Sequence, residues 1–544
     1  MTDLPQVQQP PAADDGTGPV PPRTPYEEAV AAIWHEVLGR SDIGVLDDFF
    51  DLDGTSLQAI GVVSRIRKTW QVDVRARDFF ESPTIATLAA AVAARAPSGR
   101  PPIERRPAEA EPVLSYDQQR LWLEDQLRPG AAYNVHGRRL LTGPLDVAVL
   151  ERSVRVIVSR HESLRTRFTM ADGRPVQVVD DEPGPDWNID VADLAGVAGD
   201  PVEAATRLAD EQAAAPFDLA VGPLFRCLLI RVRDDTYVLS ITAHHIVCDN
   251  WSIGLFVQEF AALYAAGGDP ARAGLTPLPI QYRDYAVWQR RWLTGEALEE
   301  HVDYWRQHLA GAPAALTLPA GRRRSSGGGR GGRAVTMLTE PDTKAVTELC
   351  RAHGATPFMG VLAALATVLG RWSGQSDVVV GVPITGRTDP ATGGLIGFFV
   401  NTLPLRIGLA GDRTFTELLG AVRGAALGGY AHADAPLDLL VSRLQVPRDP
   451  ARTPLFQVIL NAIDMPRSDS ISGVTAEAME TPVPPTKLDV AVSMRETGSA
   501  LELTLEFDAD RYDPATMQLL AEQLAALLRA AAEDPDQDIR DYPL

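Results

Sequence analysis

Two adjacent histidines and a nearby carboxylate are the residues of this chain best suited to chemistry. His244 and His245 end an apolar run, and Asp249 follows the second histidine by four residues. A neutral imidazole there could accept a proton from an attacking amine or alcohol, and the carboxylate could hold the loop that aims the ring. Buried structural histidines are also common, so the pair alone leaves a structural role open.

The elements around the histidines predict how they are positioned. Leu224 to Val232 and Tyr237 to Ala243 are typical of adjacent strands, joined by the polar turn Asp234-Asp235. Ser252 then opens a segment with the apolar spacing of an amphipathic helix. The histidine pair is therefore expected directly after a strand and before a helix.

A serine near the N-terminus is the second candidate for chemistry. Gly54 predicts a tight turn, and Ser56 would lie at the start of the helix that follows. Backbone N–H groups and the helix dipole favour an attached phosphate at such a position. A serine there is also a common helix cap, and the local sequence leaves both roles open.

Apolar periodicity divides the chain into a small helical region and a longer α/β region. Residues 1–23 are rich in Pro, Gln, Ala and Gly, which predicts a flexible linker, and helical periodicity then covers 24–95. A second linker is predicted over 96–112, where prolines and arginines concentrate. The remainder alternates helices and strands over a length that suits two α/β lobes, 113–290 and 291–544.

Composition excludes several classes of function. The chain carries 51 basic and 72 acidic side chains, and its net charge of -21 argues against non-specific nucleic-acid binding. Its three cysteines fit a reducing cytoplasm better than a disulfide framework or a zinc site. We expect no signal peptide and no membrane association, because no apolar run approaches the length of a bilayer span. The arginines and glycines of 321–332 lack interleaved aromatic residues, so we interpret them as a solvated mobile loop.

The loop and helix around Ser56 carry a known pattern. Phe49-Phe50-Asp51 precedes Gly54-Thr55-Ser56-Leu57, with Asp53 in place of the first glycine of a usual pair. In this pattern the region resembles the peptidyl carrier domains of nonribosomal peptide synthetases, over about 24–95. The resemblance implies a four-helix bundle in which a phosphopantetheinyl transferase attaches 4′-phosphopantetheine to Ser56. The thiol of that group would hold an acyl group as a thioester, and Asp53 could alter recognition by the loading enzyme.

Seven segments in fixed order extend the resemblance over the rest of the chain. They are Ser115–Trp122, Arg160–Phe168, His244–Asn250, Tyr282–Trp288, Ile396–Arg406, His432–Asp438 and Arg448–Leu455. Together they are similar to the condensation domains of the same synthetases, although Asp117 is unusual in the first motif. The resemblance implies a multidomain chain whose α/β part has two lobes like chloramphenicol acetyltransferase, arranged as a V. Carrier arms would enter a tunnel between the lobes from opposite faces and meet at His245.

The implied reaction is amide formation between two carrier-bound groups. The α-amine of an acceptor on a downstream aminoacyl carrier would attack a donor acyl or peptidyl thioester and free its thiol. Neither ATP nor a metal is needed, because the thioester is already activated. His245 would remove the amine proton or position the amine. A free α-amine titrates near about pH 8, so a neutral fraction exists without a strong base.

The residues beside His245 allow more than one role. Asp249 either polarises His245 directly or forms a structural ion pair, and we favour the ion pair. Family resemblance implies Arg165 or Arg160 as its partner. His244 belongs to the active-site motif but is expected to be structural.

Four further assignments accompany the motifs. Asn250 stands where the family has glycine, and because asparagine is the next most tolerant of positive φ, we expect the same backbone and little effect on activity. Asn401 is expected either to form a hydrogen bond at the tunnel or to order its loop. Cys248 is interpreted as a packing residue, and Tyr282 to Trp288 as core.

Two other functions stay open on the sequence. An epimerization domain shares the lobes and the histidine pair, but Gly397 to Thr402 resembles the condensation form. A catalytically silent domain that recruits a tailoring enzyme would lose the second histidine, present here as His245, whereas Asn250 keeps that alternative open. Heterocyclization is disfavoured, because that branch replaces the histidine pair with aspartates. Amide formation among neighbouring synthetase domains is the favoured function.

Overall fold

The computed structural model describes residues 19–52, 54–70, 72, 74, 76–81, 83–95, 100–107, 109–183, 187–319, 330–411, 413–447, 452–463, 470–481, 483 and 488–543. Parts of the predicted features lie outside the described residues, namely linker residues 1–18 and 96–99, Asp53, segment 321–329 and motif residues 448–451. The chain divides into two compact units, residues 1–97 and 98–544.

Over its described residues, the smaller unit is a bundle of four helices. They are α1 (Pro25–Leu38), α2 (Ser56–Trp70), α3 (Ala76–Glu81) and α4 (Ile85–Ala93). Helix α1 begins after Thr24, whose side-chain oxygen accepts the backbone N–H of Glu27 and so caps the helix. Buried Trp34 packs edge-on against Phe49, with ring centroids 4.8 Å apart. These rings form part of the core toward which the apolar face of α1 is turned.

The helices of the larger unit follow the predicted α/β alternation. They are α5 (Tyr116–Leu127), α6 (Val147–Arg160), α7 (Pro201–Ala214), α8 (Asn250–Ala265), α9 (Tyr282–Trp292), α10 (Gly295–His308), α11 (Glu340–Ala352), α12 (Pro357–Ser373), α13 (Phe415–Ala431), α14 (Leu437–Arg443) and α15 (Pro514–Glu533). Aspartate caps begin several of them; Asp146, for example, accepts the backbone N–H of Val149 at the start of α6.

The strands of the larger unit form two separate six-stranded sheets. They are β1 (Asn134–Thr142), β2 (Thr166–Ala171), β3 (Arg174–Val179), β4 (Asp190–Asp193), β5 (Phe225–Arg233), β6 (Thr236–His244), β7 (Gly331–Leu338), β8 (Asp377–Ile384), β9 (Asn401–Gly408), β10 (Val458–Ala462), β11 (Ser470–Ile471), β12 (Val474–Ala478), β13 (Val490–Thr497) and β14 (Ala500–Asp508). The first sheet has the order β11-β12-β1-β6-β5-β4, the second β7-β14-β13-β10-β8-β9, and β2 and β3 form a hairpin of their own.

The first sheet is covered on both faces, which holds the strand before the histidines in place. Strands β5 and β6 form the predicted hairpin, with Phe225 opposite Ala243. Apolar residues of this hairpin pack on one face with α6 and α8, as Phe225 does with Phe256 at 5.4 Å between ring centroids. On the other face, Leu228 packs in a cluster with Ala205 of α7. A strand buried on both faces gives the histidine turn a rigid support.

Strands β11 and β12 join the first sheet although they come late in the chain. Both lie within the predicted lobe 291–544, yet β12 pairs antiparallel with β1 of the predicted lobe 113–290, from Arg139 opposite Ala478 to Thr142 opposite Thr475. The added strand covers an edge of β1 that would otherwise present unpaired backbone groups. A segment of the predicted lobe 291–544 therefore completes the sheet of the predicted lobe 113–290, which the sequence did not indicate.

Residues 100–107, which fall within the predicted linker 96–112, belong to the larger unit and pack on α9. Ile103 is buried in a cluster with Tyr285 and Trp288 of α9. The Arg100 guanidinium lies 4.7 Å from the centre of the Trp288 ring. This part of the linker is therefore anchored by α9.

No single helix among the described residues is long and apolar enough to cross a membrane, and α11 and α12 pass that test only as a pair bent by 99°. Met359 to Gly370 of α12 are buried inside the larger unit, as in a core helix.

Candidate active site

The histidine pair lies on a short turn between β6 and α8, as the sequence predicted. His244 is the last residue of β6 and is paired with Asn134 of β1. His245 to Val247 form a single 3-10 turn, and Asp249 caps α8 through the backbone N–H of Ser252 at 2.8 Å. The strand fixes one end of the turn and the capped helix fixes the other.

Backbone hydrogen bonds set the orientation and tautomer of His245. Its backbone N–H donates to the Tyr133 carbonyl oxygen at 2.8 Å, and its Nδ1 lies 2.7 Å from the Cys248 carbonyl oxygen. A carbonyl oxygen only accepts, so Nδ1 carries the proton and Nε2 of the neutral ring keeps its lone pair. The ring also packs edge-on against Phe398, with centroids 4.8 Å apart.

Burial keeps the His245 imidazole neutral. Desolvation lowers the pKa of His245 below its ordinary value of 6.5, and the nearby negative charge of Asp249 only partly offsets this effect. The charge of Arg120 lowers the pKa further. The half-buried ring is therefore an unprotonated base with an available Nε2 at neutral pH.

His244 supports the turn from the other side of the strand. It is 1% exposed, and its Nδ1 accepts the backbone N–H of Ile246 at 3.1 Å. Its ring packs near Tyr133 and Phe217, with centroids 6.1 and 6.2 Å away. These contacts agree with a structural role for His244.

Asp249 is wholly buried and ties the turn to the fifth motif. Besides capping α8, its Oδ1 accepts the Ser252 hydroxyl at 2.6 Å, and its Oδ2 accepts the backbone N–H of Phe399 at 3.0 Å. Arg387 Nη2 lies 3.1 Å from Oδ1 and 3.3 Å from Oδ2. The expected ion pair is present, and all of these contacts are architectural.

The expected partner of that ion pair was wrong. Arg160 donates to Glu259 Oε1 at 2.9 Å, and Arg165 donates to the Asp180 carbonyl oxygen. Arg160 ends α6, where its side chain meets α8 at Glu259, well beyond the Asp249 cap. The position beside Asp249 is occupied by Arg387, which follows β8.

Arg387 is the functional residue that sequence reasoning missed. It is 8% exposed, and its guanidinium lies 4.1 Å from the centre of the Phe399 ring. The preceding Gly386 has a φ of +61°, and a Cβ there would come within 1.8 Å of the Phe399 carbonyl oxygen. Only glycine permits this approach, so a Gly-Arg pair after a strand was the available signal.

The backbone expected at Asn250 was also wrong. Asn250 is the first residue of α8 and is exposed. Positive φ among described non-glycine residues occurs only at Asp172, Asp235, Gln445, Leu455 and Ser472. Asn250 therefore needs no glycine-like conformation, and its side chain projects from a helix start that any ordinary residue could occupy.

Asn401 orders its loop. Its Nδ2 donates to the carbonyl oxygens of Ala433 and Ala435, both at 2.8 Å. Its Oδ1 accepts the backbone N–H groups of Thr402 at 2.8 Å and Leu437 at 3.1 Å. Of the two roles considered for Asn401, the contacts favour the structural one, which joins the fifth and sixth motifs.

The remaining predicted residues near the turn are packed. Cys248 is buried, and burial raises the pKa of its thiol well above the ordinary range, so it is no nucleophile at neutral pH. Tyr282 is buried, and its hydroxyl donates to the Phe398 carbonyl oxygen at 2.5 Å. This core residue thus also fixes the backbone that places Phe398 beside His245.

In the smaller unit, Ser56 is the first residue of α2. Thr55 acts as the cap, because its Oγ1 accepts the Gln58 backbone N–H at 3.2 Å while Gln58 Oε1 accepts the Thr55 backbone N–H at 2.8 Å. A Cβ on Gly54 would come within 2.3 Å of the Phe49 ring, so the loop needs glycine there. Thr55 and Gln58 therefore form the cap of α2.

Comparison with known proteins identifies both units. Residues 28–92 match the family model described as phosphopantetheine attachment site. Residues 108–544 match the model described as condensation domain. The chain belongs to the condensation domain family. The resemblance stated from the seven motifs, and the attachment of 4′-phosphopantetheine to the carrier region, are thereby confirmed.

Relatives of the whole chain are peptide synthetases. It is 36% identical to tyrocidine synthase 3 of Brevibacillus parabrevis, covering 99% of this chain and 8% of that protein. It is 37% identical to phosphinothricin tripeptide synthetase PhsB of Streptomyces viridochromogenes, covering 95% of this chain and 44% of the relative. The chain thus spans less than half the length of each of these relatives.

Solved structures confirm the condensation-domain fold. The first condensation domain of the calcium-dependent antibiotic synthetase, in complex with a substrate analogue, matches 80% of this chain and 100% of its own, with 25% identity and a TM-score of 0.67. The X-domain in complex with OxyB from teicoplanin biosynthesis matches 82% of this chain and 98% of its own, with 28% identity and a TM-score of 0.73. The multidomain fold class predicted from the sequence is correct.

Proposed function

We propose that the condensation domain forms an amide bond between a donor acyl or peptidyl thioester and an acceptor aminoacyl thioester. The observation that carries this proposal is the neutral His245 ring, whose Nδ1–H is held by the Cys248 carbonyl oxygen at 2.7 Å. That hydrogen bond leaves Nε2 available to a substrate amine. The donor is held through 4′-phosphopantetheine on Ser56 and the acceptor on a downstream carrier domain.

The reaction needs one proton to move. The amine nitrogen bonds to the thioester carbonyl carbon, and His245 Nε2 accepts the amine proton as the C–N bond forms. The C–S bond then breaks, and the imidazolium returns the proton to the departing thiolate. Because burial holds the pKa of His245 below 6.5, the imidazolium is a ready acid in the second step.

Asp249 has a supporting role in this proposal. Its oxygens already accept hydrogen bonds from Ser252, Arg387 and Phe399. It influences His245 by its charge and by fixing the turn, without a hydrogen bond to the ring among the described residues. His245 is the proposed catalytic residue, and Asp249, Arg387 and His244 are positioning residues.

Reconstitution tests the proposal. A phosphopantetheinyl transferase loads Ser56 with a peptidyl-phosphopantetheine, a separate aminoacyl carrier supplies the acceptor, and intact-protein mass spectrometry follows both carriers. We expect peptide to appear on the acceptor carrier, and Ser56→Ala to abolish donor loading. Epimerized donor without acceptor consumption would identify the domain as an epimerase instead.

Recruitment of a tailoring enzyme is the second candidate, favoured by the similarity to the X-domain, which was solved in complex with OxyB. A recruitment domain would bind a loaded carrier domain without consuming the thioester that the carrier holds. If no cognate donor and acceptor pair gives amide, and a soluble tailoring enzyme co-elutes with the domain, recruitment replaces amide formation. Retention of His245 with its Nδ1 held in place supports catalysis over recruitment.

The setting of the reaction follows from the same proposal. Neighbouring synthetase domains would supply the donor and receive the product, and no nucleic acid or membrane takes part. The units 24–95 and 113–544 would act as carrier and condensation domain, joined through 96–112. Three buried free cysteines support a cytoplasmic location.

A further inference from the structure

Arg100, a residue of the predicted linker, is held more firmly than a tether requires. Its guanidinium lies against the rings of Trp288 and Trp292, 4.7 and 4.8 Å from their centres. The side chain keeps only 16% of its surface accessible. A linker that only joins two domains needs no buried cation, because a charge removed from water is costly unless it is paired. The burial of Arg100 therefore indicates a role beyond tethering.

Two polar contacts join Arg100 to segments that follow β8 and α13. Its Nη1 donates to Asp434 Oδ2 of the sixth motif at 3.0 Å, and its Nη2 donates to Thr388 Oγ1 at 2.8 Å. The Thr388 hydroxyl in turn donates to Asp434 Oδ1 at 3.1 Å. The forked guanidinium suits this arrangement, because it donates to two acceptors in a fixed geometry. Arg100, Thr388 and Asp434 thus form a closed linker triangle.

Thr388 connects the linker triangle to the histidine turn. It directly follows Arg387, whose guanidinium lies 3.1 and 3.3 Å from the two carboxylate oxygens of Asp249. Arg387 Nη1 also donates to the Leu395 carbonyl oxygen at 2.8 Å. A contact that fixes Thr388 restricts the backbone that carries Arg387, and through Arg387 it restricts Asp249.

Asp434 connects the linker triangle to the fifth motif. The carbonyl oxygens of the residues on either side of Asp434 accept Asn401 Nδ2, both at 2.8 Å. Asn401 begins β9 and follows the segment with Phe398, whose ring lies beside His245. The linker triangle therefore braces the chain at two places that support the surroundings of His245.

We propose that Arg100 is a positioning residue for amide formation, which acts from the linker on the histidine turn through Thr388 and Arg387. The inference rests on the proposed amide-forming function and adds to it a residue outside the motifs. With the linker triangle intact, Asp249 and the segment before β9 hold the His245 ring in its productive orientation. Without the triangle the turn stays folded, but the ring is less often in that orientation, which lowers the rate more than the affinity.

Arg100→Gln in the full chain tests the proposal through its rate constants. Donor loaded on Ser56 is mixed with increasing concentrations of a separate aminoacyl carrier, and single turnovers give the maximal rate and the half-saturating acceptor concentration. We expect the maximal rate to fall about fivefold or more and the half-saturating concentration to stay within about twofold, because small displacements of reacting groups slow the chemical step. Arg100→Lys keeps the charge beside Asp434 without the fork and should recover part of the rate.

Arg105→Gln is the matched control in the same linker. Arg105 is exposed and donates to the carbonyl oxygens of Pro279 and Leu278, ahead of α9. Its replacement removes a linker contact and leaves the linker triangle in place, so the rate should stay within about twofold of wild type. An equal loss in Arg105→Gln and Arg100→Gln would show that any loosened linker slows the reaction, and would overturn the proposal.

A double-mutant cycle tests the route through Thr388. Thr388→Val removes the hydroxyl that Arg100 contacts, while the linker keeps its contacts with Asp434 and the two tryptophans. If Arg100 acts through Thr388, the chain with both Arg100→Gln and Thr388→Val should react within about twofold of the slower single variant. Losses that multiply would show independent effects and contradict the proposed route. If thermal unfolding shows that Arg100→Gln damages the fold, the rate of Thr388→Val decides.

A donor that is not attached to the chain separates positioning from tethering. Each variant is combined with Ser56→Ala and receives a peptidyl-pantetheine thioester in solution. A positioning role predicts the same relative loss for Arg100→Gln as with the attached donor, whereas a loss confined to the attached donor would make Arg100 a tether anchor and overturn the proposal. Amide formation by wild type at a rate that Arg100→Gln leaves unchanged overturns the inference alone. If wild type forms no amide with either donor, the proposed function has failed and the inference falls with it.

Discussion

Two turns in the larger unit have the same local structure, a strand followed by a turn and an aspartate-capped helix. They differ in the contacts that the cap aspartate makes. In the first sheet, β6 leads through the histidine turn to Asp249, which caps α8 through Ser252 N–H at 2.8 Å. In the second sheet, β14 leads through a turn of similar length to Asp513, which caps α15 through Thr516 N–H at 3.1 Å. Both follow the second strand of an antiparallel hairpin.

The difference between the turns separates what the fold requires from what the site requires. Asp513 is exposed, whereas Asp249 is 0% exposed and also binds Arg387 and Phe399. A side chain that only caps a helix can remain exposed to solvent, so the burial of Asp249 serves another purpose. It locks the histidine turn to the segment before β9 that carries Phe398, the neighbour of His245.

Removing each cap carboxylate should show this difference most strongly. Asp249→Ala leaves the Arg387 guanidinium buried and unpaired, which should lower the free energy of unfolding by about 3–5 kcal/mol. Asp513→Ala removes only a cap and should cost about 0.5–2 kcal/mol. Urea unfolding of the two variants measures both values, and equal losses would mean that Asp249 is no more than a cap.

Replacing Arg387 tests the corrected ion pair. Arg387→Gln leaves Asp249 without its cation, and we expect about 2–4 kcal/mol less stability together with slower amide formation. Arg160→Gln is the matched control, since Arg160 contacts Glu259 and the Thr276 carbonyl oxygen. It should leave the reaction rate within about twofold. A larger kinetic effect from Arg160 than from Arg387 would contradict the assignment.

The pH dependence of the reaction should report the neutral ring of the first turn. The folded-state pKa of His245 is lowered, so the imidazole stays unprotonated until the pH falls below its ordinary value. The acceptor α-amine titrates near about pH 8 and gives kcat/KM an acid limb of its own. We expect the further limb that depends on His245 to lie below about pH 6.5 and to add a loss of about tenfold per pH unit. An acid limb above pH 7 that disappears in His245→Ala would show that the pKa of the His245 ring is not lowered.

The smallest effect is expected at Asn250. Its side chain is exposed at the first position of α8 and its φ is not positive. Asn250→Gly should therefore change stability by less than about 1 kcal/mol and amide formation by less than about twofold. A large gain in rate would instead reveal a role for the side chain in substrate access, and steady-state kinetics with saturating acceptor measures it.

The sequence predicted those features that depend on neighbours along the chain. The position of His245 between a strand and a helix, the helical carrier unit and the order of the motifs follow from periodicity and local pattern. The partner of Asp249 does not, because Arg387 lies 138 residues away and belongs to none of the seven motifs. Asn250 was misjudged because a backbone angle was inferred from residue type alone.

The topology shows the same limit. Each strand of the β5–β6 hairpin was predicted from its own residues, whereas the pairing of β12 with β1 joins segments that are far apart in the chain. The residue pattern within a strand does not specify which distant strand pairs with it, or in which register.

The central claim is that His245 performs or positions the proton transfer of amide formation, and single-turnover kinetics tests it most directly. Donor loaded on Ser56 is mixed with excess acceptor carrier, and the product in quenched samples gives the rate of donor transfer. The rate is measured for wild type, for His245→Ala and for Asp510→Ala in the equivalent turn of the second sheet. We expect a loss of about 100-fold or more for His245→Ala, with donor loading and thermal unfolding unchanged, and less than about twofold for Asp510→Ala. A His245→Ala variant that transfers the donor within about threefold of wild type would contradict the account.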